Sequence, residues 1–294
     1  MRLSAFAPAK VNLFLHVGGP DAEGYHPISS LMVFADLGDE VSLQASDAPG
    51  FETTGPFGAA IPAGEDNLVL RAARVFHAAA AGPLPPFRLM LDKRLPIAAG
   101  LGGGSSDAGA ALRLLRDALI PQCSDAALEA MAASLGADGA ACLWGRPVMA
   151  EGRGERLTAA PGLPPLNAVL VNPLVPSPTG AVYRAYDAAI APAGEARPWM
   201  PEAFESAEEV AAWLVAATRN DLEAPAIALE PLIGEVLEVL RDEPETLMAR
   251  MSGSGATCFA LCVSDIEAEG LAERLETLRP GWWIRRCRLG GGLS

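Results

Sequence analysis

A stretch with little side-chain bulk, Pro96 to Asp107, stands directly before a strong helical pattern in this chain. Four glycines within it, beginning at Gly100, allow positive φ and a close approach to a ligand, so that consecutive N–H groups can point inward. The helix that follows adds its own free N–H groups and the positive end of its dipole. The segment therefore predicts a backbone cradle for phosphate groups.

Two known phosphate-binding signatures fit the run poorly. A P-loop ends in Gly-Lys-Ser/Thr, and no lysine follows Gly104. The dinucleotide fingerprint fails at its last position, where Ser105 stands, and five residues separate the predicted strand from the loop. Ser105, Ser106 and Asp107 are good N-cap types, and apolar residues recur at helical spacing until Pro121, which disfavours a flexible linker. A purely structural glycine loop stays open as the alternative.

Composition limits the classes of partner. The formal net charge is -14 and the pI is near 4.7, so nucleic acid and anionic membranes are disfavoured, whereas a small anionic ligand with Mg²⁺ is not. Five cysteines without a paired CxxC arrangement indicate neither a zinc site nor a disulfide framework. Polar residues interrupt the apolar N-terminal segment, which favours neither a signal peptide nor a membrane span. We expect a soluble, cytoplasmic protein of a reducing compartment.

Hydrophobic periodicity predicts a mixed α+β chain. In the first half we expect an alternating opening strand with Lys10 and Asn12 on one face, strands over 28–34, 40–44 and 87–91, and helices over 67–80 and 125–135. Prolines accumulate beyond Glu151, so we expect domains over 1–155 and 156–294. In the second half we expect a strand over 168–172, helices near 207–217 and 229–241, a second glycine turn at 252–255, a strand over 257–263, a helix near 266–278 and a closing strand over 282–289.

A few side chains could carry chemistry, and each also has an ordinary structural explanation. Asp138 follows a predicted helix end, where it could face a cleft or simply cap a solvated turn. A strand lysine such as Lys10 usually faces water. The Tyr25-His26 pair would suit a flat heterocycle, yet such pairs often only pack at loops. Taken singly, none of these residues decides the function.

In their order along the chain, however, these segments resemble the GHMP small-molecule kinase superfamily. The glycine run is the superfamily motif, and the resemblance covers nearly the whole chain through the following further segments: Ala7 to Leu15, Gly24-Tyr-His26, Leu135 to Asp138, Glu151-Gly-Arg-Gly-Glu155, Pro176 to Thr179, Asn220-Asp221 and Met251 to Thr257. The first two of these, taken together, are similar to the member that acts on a cytidyl nucleotide substrate. One departure is Gly139-Ala140, where the family usually has an apolar residue and proline.

The resemblance implies a two-domain GHMP kinase fold, with an N-terminal half like domain 2 of ribosomal protein S5 and a ferredoxin-like C-terminal half. It implies an ATP- and Mg²⁺-dependent kinase for a cytidyl diphosphate alcohol in isoprenoid precursor synthesis, acting as a monomer or weak homodimer. Lys10 and Asp138 would be catalytic, and the metal ligands are left unassigned, with Ser105 or Ser106 as a possible metal-side hydroxyl. The ATP phosphates would lie on Pro96, Ala98, Ala99, Gly100, Leu101, Gly102, Gly103, Gly104, Ser105 and Ser106. The acceptor substrate would contact Asn12, Tyr25, His26, Thr179, Tyr183, Gly253 and Ser254.

Two alternatives to this function stay open. One is a GHMP kinase for another small alcohol, such as mevalonate or homoserine, and the Gly24-Tyr-His26 segment disfavours it because such alcohols have no base to be held. The other is a nucleotide-binding sensor without turnover. A pure binder has no need of a proton acceptor beside an ammonium, so the presence of both Lys10 and Asp138 disfavours the sensor.

Overall fold

The fold is α+β, as predicted, in a computed structural model that describes residues 2–62, 64, 66–189 and 194–290. The first half contains β1 (Arg2–Val17), β2 (Ile28–Ala45), β3 (Gly50–Thr54), α1 (Leu68–Ala79), β4 (Phe87–Asp92), α2 (Gly103–Leu119), α3 (Asp125–Leu135), α4 (Gly139–Trp144), β5 (Val148–Gly152) and β6 (Arg156–Ala159). The second half contains β7 (Leu166–Asn172), α5 (Thr179–Ala189), α6 (Ala207–Ala217), α7 (Glu223–Leu229), α8 (Leu232–Asp242), β8 (Thr246–Met251), β9 (Cys258–Cys262), α9 (Asp265–Leu278) and β10 (Trp283–Leu289).

In the first half, the long strand β2 organises the sheet. It pairs antiparallel with β1, β4 and β5, while β3 runs parallel to β4 and β6 pairs with β5. Helix α2 packs with α1 and α3 against this sheet, and its apolar stripe is buried there, including Ala108, Leu112 and Leu115. Burial of each such leucine stabilises the fold by about 1.5–3 kcal/mol, so α2 is held rigidly behind the glycine run.

In the second half, four antiparallel strands lie in the order β10-β7-β9-β8. Their connections, with helices between β7 and β8 and α9 between β9 and β10, give the ferredoxin-like arrangement that was expected. The two sheets meet where Leu289 pairs with Ala35. The predicted domain boundary at residue 155 falls in the turn between β5 and β6, and the division into domains stays a prediction.

Four predicted elements were wrong in their limits. The two strands expected over 28–34 and 40–44 form the single strand β2, because Gly38 fits closely against the Ala7 carbonyl and the buried Asp39 is paired with Lys93. The helix expected over 229–241 begins later, as α8 at Leu232 after its N-cap Pro231, and α7, which ends at Leu229, was not predicted. Helix α2 begins at Gly103, so Ser105, Ser106 and Asp107 lie inside its first turns and are not its caps.

Candidate active site

The glycine run forms a left-handed backbone path that leads into α2. Ala98, Gly100 and Gly102 have φ values of 51°, 74° and 60°, and Gly102 is the residue that caps the helix. Positive φ is the conformation that glycine adopts without strain, which explains why the sequence is glycine-rich here. The N-terminal N–H groups of α2 lack intrahelical partners and are therefore available to an anion.

Close packing is a second reason why glycine stands at two positions of this run. A Cβ on Gly100 would lie 2.3 Å from the Ser252 carbonyl oxygen, and one on Gly103 would lie 2.9 Å from the Lys93 Nζ. At Gly100 the contact is with backbone, and at Gly103 the Lys93 ammonium, which Asp39 and Asp107 hold, would have to move. The cradle is therefore built against fixed atoms on both sides.

The second glycine turn, residues 252–255, interlocks with the first. The Ser252 hydroxyl donates to the Gly100 carbonyl at 2.9 Å and accepts from the Asn12 N–H at 3.1 Å. The Thr257 N–H donates to the Ala99 carbonyl at 3.1 Å. The β1 strand and both turns thus form one hydrogen-bonded unit, although the three segments are far apart in the sequence.

Lys10 and Asp138 meet beside this unit. Lys10 Nζ lies 3.1 Å from Asp138 Oδ2 and donates to Asn12 Oδ1 at 2.7 Å, so Lys10 and Asn12 share a face as predicted. The Lys10 side chain is 5% exposed and that of Asp138 is 30% exposed, which leaves the carboxylate open to the cavity. The Lys10 N–H donates to the Leu101 carbonyl at 2.8 Å, so the lysine is attached to the glycine run through its own backbone.

Asp138 precedes the short helix α4 and does not lie in an ordinary loop. Gly139, the first residue of that helix, packs so closely that an added Cβ would lie 1.9 Å from the Ala132 carbonyl oxygen. The Gly139-Ala140 departure from the family pattern is therefore accommodated by a tight α3–α4 contact, which fixes the backbone beside Asp138.

A group of aromatic residues also lines the cavity. The ring of His26 lies 5.0 Å from that of Tyr183, and His26 Nε2 lies 3.3 Å from Asp187 Oδ1. Burial, followed by the negative charge of Asp138, raises the pKa of Tyr183 to about 12, so its phenol stays protonated. Tyr25 is 56% exposed on the loop between β1 and β2. These side chains offer flat apolar surfaces with polar edges.

A polar group from the second half of the chain completes the lining. Thr179 Oγ1 lies 2.9 Å from the Ser254 hydroxyl, and a Cβ on Gly253 would lie 3.1 Å from Asn12 Oδ1. The Asn220 amide donates at 2.8 Å to the carbonyl of Gly253 and to that of Met251, which fixes the turn.

One cavity of about 830 Å³ brings the predicted residues together. It is lined by both predicted catalytic residues, by every residue predicted for the acceptor substrate, and by all of those predicted for ATP except Leu101 and Ser106. Leu101 is 1% exposed and Ser106 is fully buried, since each faces the core. Of the serine pair, Ser105 lines the cavity and Ser106 does not.

Sequence reasoning missed a buried ionic cluster under the cradle. Lys93 Nζ lies 2.6 Å from Asp39 Oδ2 and 2.7 Å from Asp107 Oδ2, and none of the three residues is more than 2% exposed. Burial by itself lowers the pKa of Lys93, but the two carboxylates raise it above its ordinary value. Burial raises the pKa of Asp107 to about 7, against the opposing effect of Lys93. The sequence signal was the lysine just before the glycine run.

The fold and this cavity are those of a small-molecule kinase, and comparison with known proteins agrees. The N-terminal domain model of the GHMP kinases matches residues 67–146 and their C-terminal model matches residues 200–279. The chain belongs to the GHMP kinase family.

Its near relatives specify the member of the family. Two are the 4-diphosphocytidyl-2-C-methyl-D-erythritol kinases of Caulobacter sp. strain K31, 76% identical with 99% of each chain covered, and of Caulobacter vibrioides strain NA1000, 77% identical over 98% of this chain and the whole relative. A solved 4-(cytidine 5'-diphospho)-2C-methyl-D-erythritol kinase superposes with a TM-score of 0.75 at 35% identity, covering 99% of this chain and 100% of the other. A homoserine kinase from Cytophaga hutchinsonii, at 19% identity and a TM-score of 0.70 over 100% of this chain and 96% of its own, shares the fold. Among the described residues, none of the helices combines the length and apolar character that a membrane crossing requires.

Proposed function

We propose that this chain transfers the γ-phosphoryl group of ATP to a hydroxyl of 4-diphosphocytidyl-2-C-methyl-D-erythritol, giving the 2-phosphate and ADP in the non-mevalonate isoprenoid pathway. The relatives at 76–77% identity over nearly the full chain carry that kinase name. The observation that carries the proposal is that one cavity is lined by the glycine run, by the Lys10–Asp138 pair and by the aromatic residues Tyr25, His26 and Tyr183.

The cradle suits the phosphates of ATP. The glycine run, in which a Cβ on Gly100 would meet backbone, lines the cavity, and α2 adds the positive end of its dipole. Phosphoryl transfer depends mainly on in-line positioning and on stabilising charge at the γ-phosphoryl oxygens. We assign this work to the backbone of residues 100–105.

The residues present are compatible with magnesium that arrives with ATP. The described residues contain no group of three or more histidine, cysteine or acidic side chains placed to hold a metal ion. A magnesium ion that is bound mainly by water and by nucleotide oxygens needs only one or two protein oxygens. We propose that the Ser105 hydroxyl supplies one of them. When bound, it would offset charge on the β- and γ-phosphoryl groups.

We assign the proton transfer to Asp138. Its open carboxylate would accept the proton of the substrate hydroxyl as the hydroxyl oxygen bonds to the γ-phosphorus and ADP departs. Lys10, held by Asn12 and Asp138, would stabilise the developing alkoxide. Asn12, Gly253, Ser254 and Thr179 line the cavity beside this pair and would orient the alcohol.

The aromatic residues would form a clamp for the cytosine. Tyr25 and Tyr183 offer ring faces for stacking, and His26 offers an edge for hydrogen bonding. Selectivity against mevalonate or homoserine would follow, since neither has a base to occupy the clamp.

An Asp138→Asn variant tests the assignment. The amide cannot accept the proton, so we expect kcat to fall by at least about 100-fold while both KM values change by less than about threefold. Asp117→Asn, which removes an exposed carboxylate far along α2, is the matched control and should keep wild-type kinetics. Near-normal turnover by Asp138→Asn would refute the assignment of the proton acceptor.

A substrate panel tests the function itself. ADP formation is measured with 4-diphosphocytidyl-2-C-methyl-D-erythritol, mevalonate and homoserine in parallel. We expect turnover only with the cytidyl substrate. Turnover confined to mevalonate or homoserine would establish the alternative kinase function, and nucleotide binding without turnover would establish the sensor.

A further inference from the structure

The side of the clamp formed by Tyr25 lies on an exposed loop. Residues 18–27 connect β1 to β2, and the Tyr25 ring at the rim of the cavity is 56% exposed. Stacking on a base is stronger when the ring is already held in place, because ordering a loose side chain on binding weakens affinity. Something other than core packing must hold this ring.

Arg153 contacts this loop from the turn between β5 and β6. Its guanidinium carbon lies 4.2 Å from the centre of the Tyr25 ring, a distance typical of a cation–π contact. Its Nη2 donates to Asp21 Oδ2 and to Glu23 Oε2, each at 2.6 Å. Arg153 also lines the cavity. One guanidinium therefore binds both the ring and the loop that carries it.

Asp21 connects Arg153 to the Tyr25 backbone. Its Oδ1 accepts from the Tyr25 N–H at 3.0 Å, and its own N–H donates to the Tyr25 carbonyl at 2.7 Å. The hydrogen bond from Arg153 holds the pKa of Asp21 below its ordinary value, so the carboxylate stays charged. Arg153, Asp21 and Tyr25 thus form a closed set of contacts.

The turn that carries Arg153 is itself fixed. Gly152 and Gly154 on either side have φ values of 71° and 105°, and the Arg153 N–H donates to Glu155 Oε2 at 2.6 Å. The Glu151 to Glu155 segment, to which the catalytic assignment gives no role, therefore presents this one side chain to the loop.

We propose that Arg153 is a positioning residue that fixes Tyr25 for stacking on the cytosine of the acceptor substrate. This inference rests on the proposed function. The guanidinium covers one face of the ring, which leaves the opposite face for the base. Exposed ion pairs add little to global stability, so the effect is expected in substrate affinity and not in folding.

Arg153→Met tests the inference, with Arg156→Met as the matched control. Arg156 is an exposed cation on the same hairpin that is not among the described residues lining the cavity. We expect Arg153→Met to raise KM for the cytidyl substrate about fivefold, with kcat and KM for ATP within about twofold of wild type. Calorimetric binding of CDP should weaken by the same factor, and Arg156→Met should change neither quantity.

A double-mutant cycle isolates the route through the ring. If Arg153 acts through Tyr25, then Arg153→Met should add no further loss of CDP affinity in a Tyr25→Ala background. Full additivity, or an Arg153→Met variant that binds CDP like wild type, would overturn the inference and leave the proposed function standing. A wild-type protein that neither turns over the cytidyl substrate nor binds CDP would overturn both.

Discussion

Lys93→Met is expected to destabilise the fold strongly, although methionine matches lysine in volume. The ammonium is bonded at 2.6 Å to Asp39 and at 2.7 Å to Asp107, and all three residues are essentially buried. Removing one partner from a buried ionic group leaves uncompensated charge and costs about 3–5 kcal/mol. Each kcal/mol lowers the melting temperature of a chain of this size by about 2 °C, so we expect a decrease of about 6–10 °C.

The stability lost in Lys93→Met should depend on pH, and the pKa of Asp107 determines the direction of that dependence. Its carboxyl pKa is raised in the folded protein from 3.8 to about 7. A raised carboxyl pKa means that the folded state holds a proton that the unfolded state releases, so stability from this group is present below pH 4 and lost as pH rises through 7. Without the Lys93 ammonium the pKa rises further. Urea denaturation should therefore show a larger deficit for Lys93→Met at pH 8 than at pH 5.

The control is Arg94→Met, which removes the neighbouring cation from an exposed pair with Asp92 and should leave the melting temperature within about 1 °C of wild type. A second variant adds Asp39→Asn and Asp107→Asn to Lys93→Met, which removes the buried charge and should recover part of the loss. A Lys93→Met deficit below about 1 kcal/mol at pH 8, or one equal at pH 5 and pH 8, would refute the reasoning.

Two glycines should respond to alanine in opposite ways. At Gly100 the Cβ would clash with the Ser252 carbonyl at 2.3 Å and φ is 74°, so Gly100→Ala must displace the cradle, and steady-state assays should show kcat/KM lower by on the order of 100-fold. At Gly270, inside α9, no atom lies within 4 Å of an added Cβ. Gly270→Ala should raise the free energy of unfolding by about 0.5–1 kcal/mol with unchanged kinetics, and a loss of stability there would contradict the open packing.

Sequence patterns predicted the elements whose signals are local. Helix α6 has the predicted limits, and α1 begins after Asn67, whose side chain accepts hydrogen bonds from the Val69 and Leu70 N–H groups. Elements fixed by tertiary contacts were missed, including β3, β5, β6, α4, α5, α7 and β8. In β2, turn-forming residues lie within a strand because partners distant in sequence satisfy them, and no local pattern reports such partners.

The candidate site, like the fold, was predictable from the sequence only where its signals are local. Motifs indicated which residues would gather, since each motif is short and contiguous. They could not indicate that Lys93 would bind Asp39, 54 residues away, or that Arg153 would reach Asp21 across 132 residues. Both pairs depend on strand pairing, which places segments from different parts of the chain side by side.

The positions of the two lysines bear on how an acidic chain could bind its proposed anionic ligands. All other cationic side chains of this acidic protein are arginine or histidine, whereas Lys10 and Lys93, 4% and 2% exposed, lie beside and beneath the cradle. A lysine ammonium is a compact point charge, and burial strengthens its field because water screens it less. The cradle lacks the lysine of a P-loop, yet Lys10 approaches from β1 through its N–H bond to Leu101. We therefore expect anion binding here to depend on the nearby N–H groups of the glycine run and on Lys10, because the charge of Lys93 is balanced by Asp39 and Asp107.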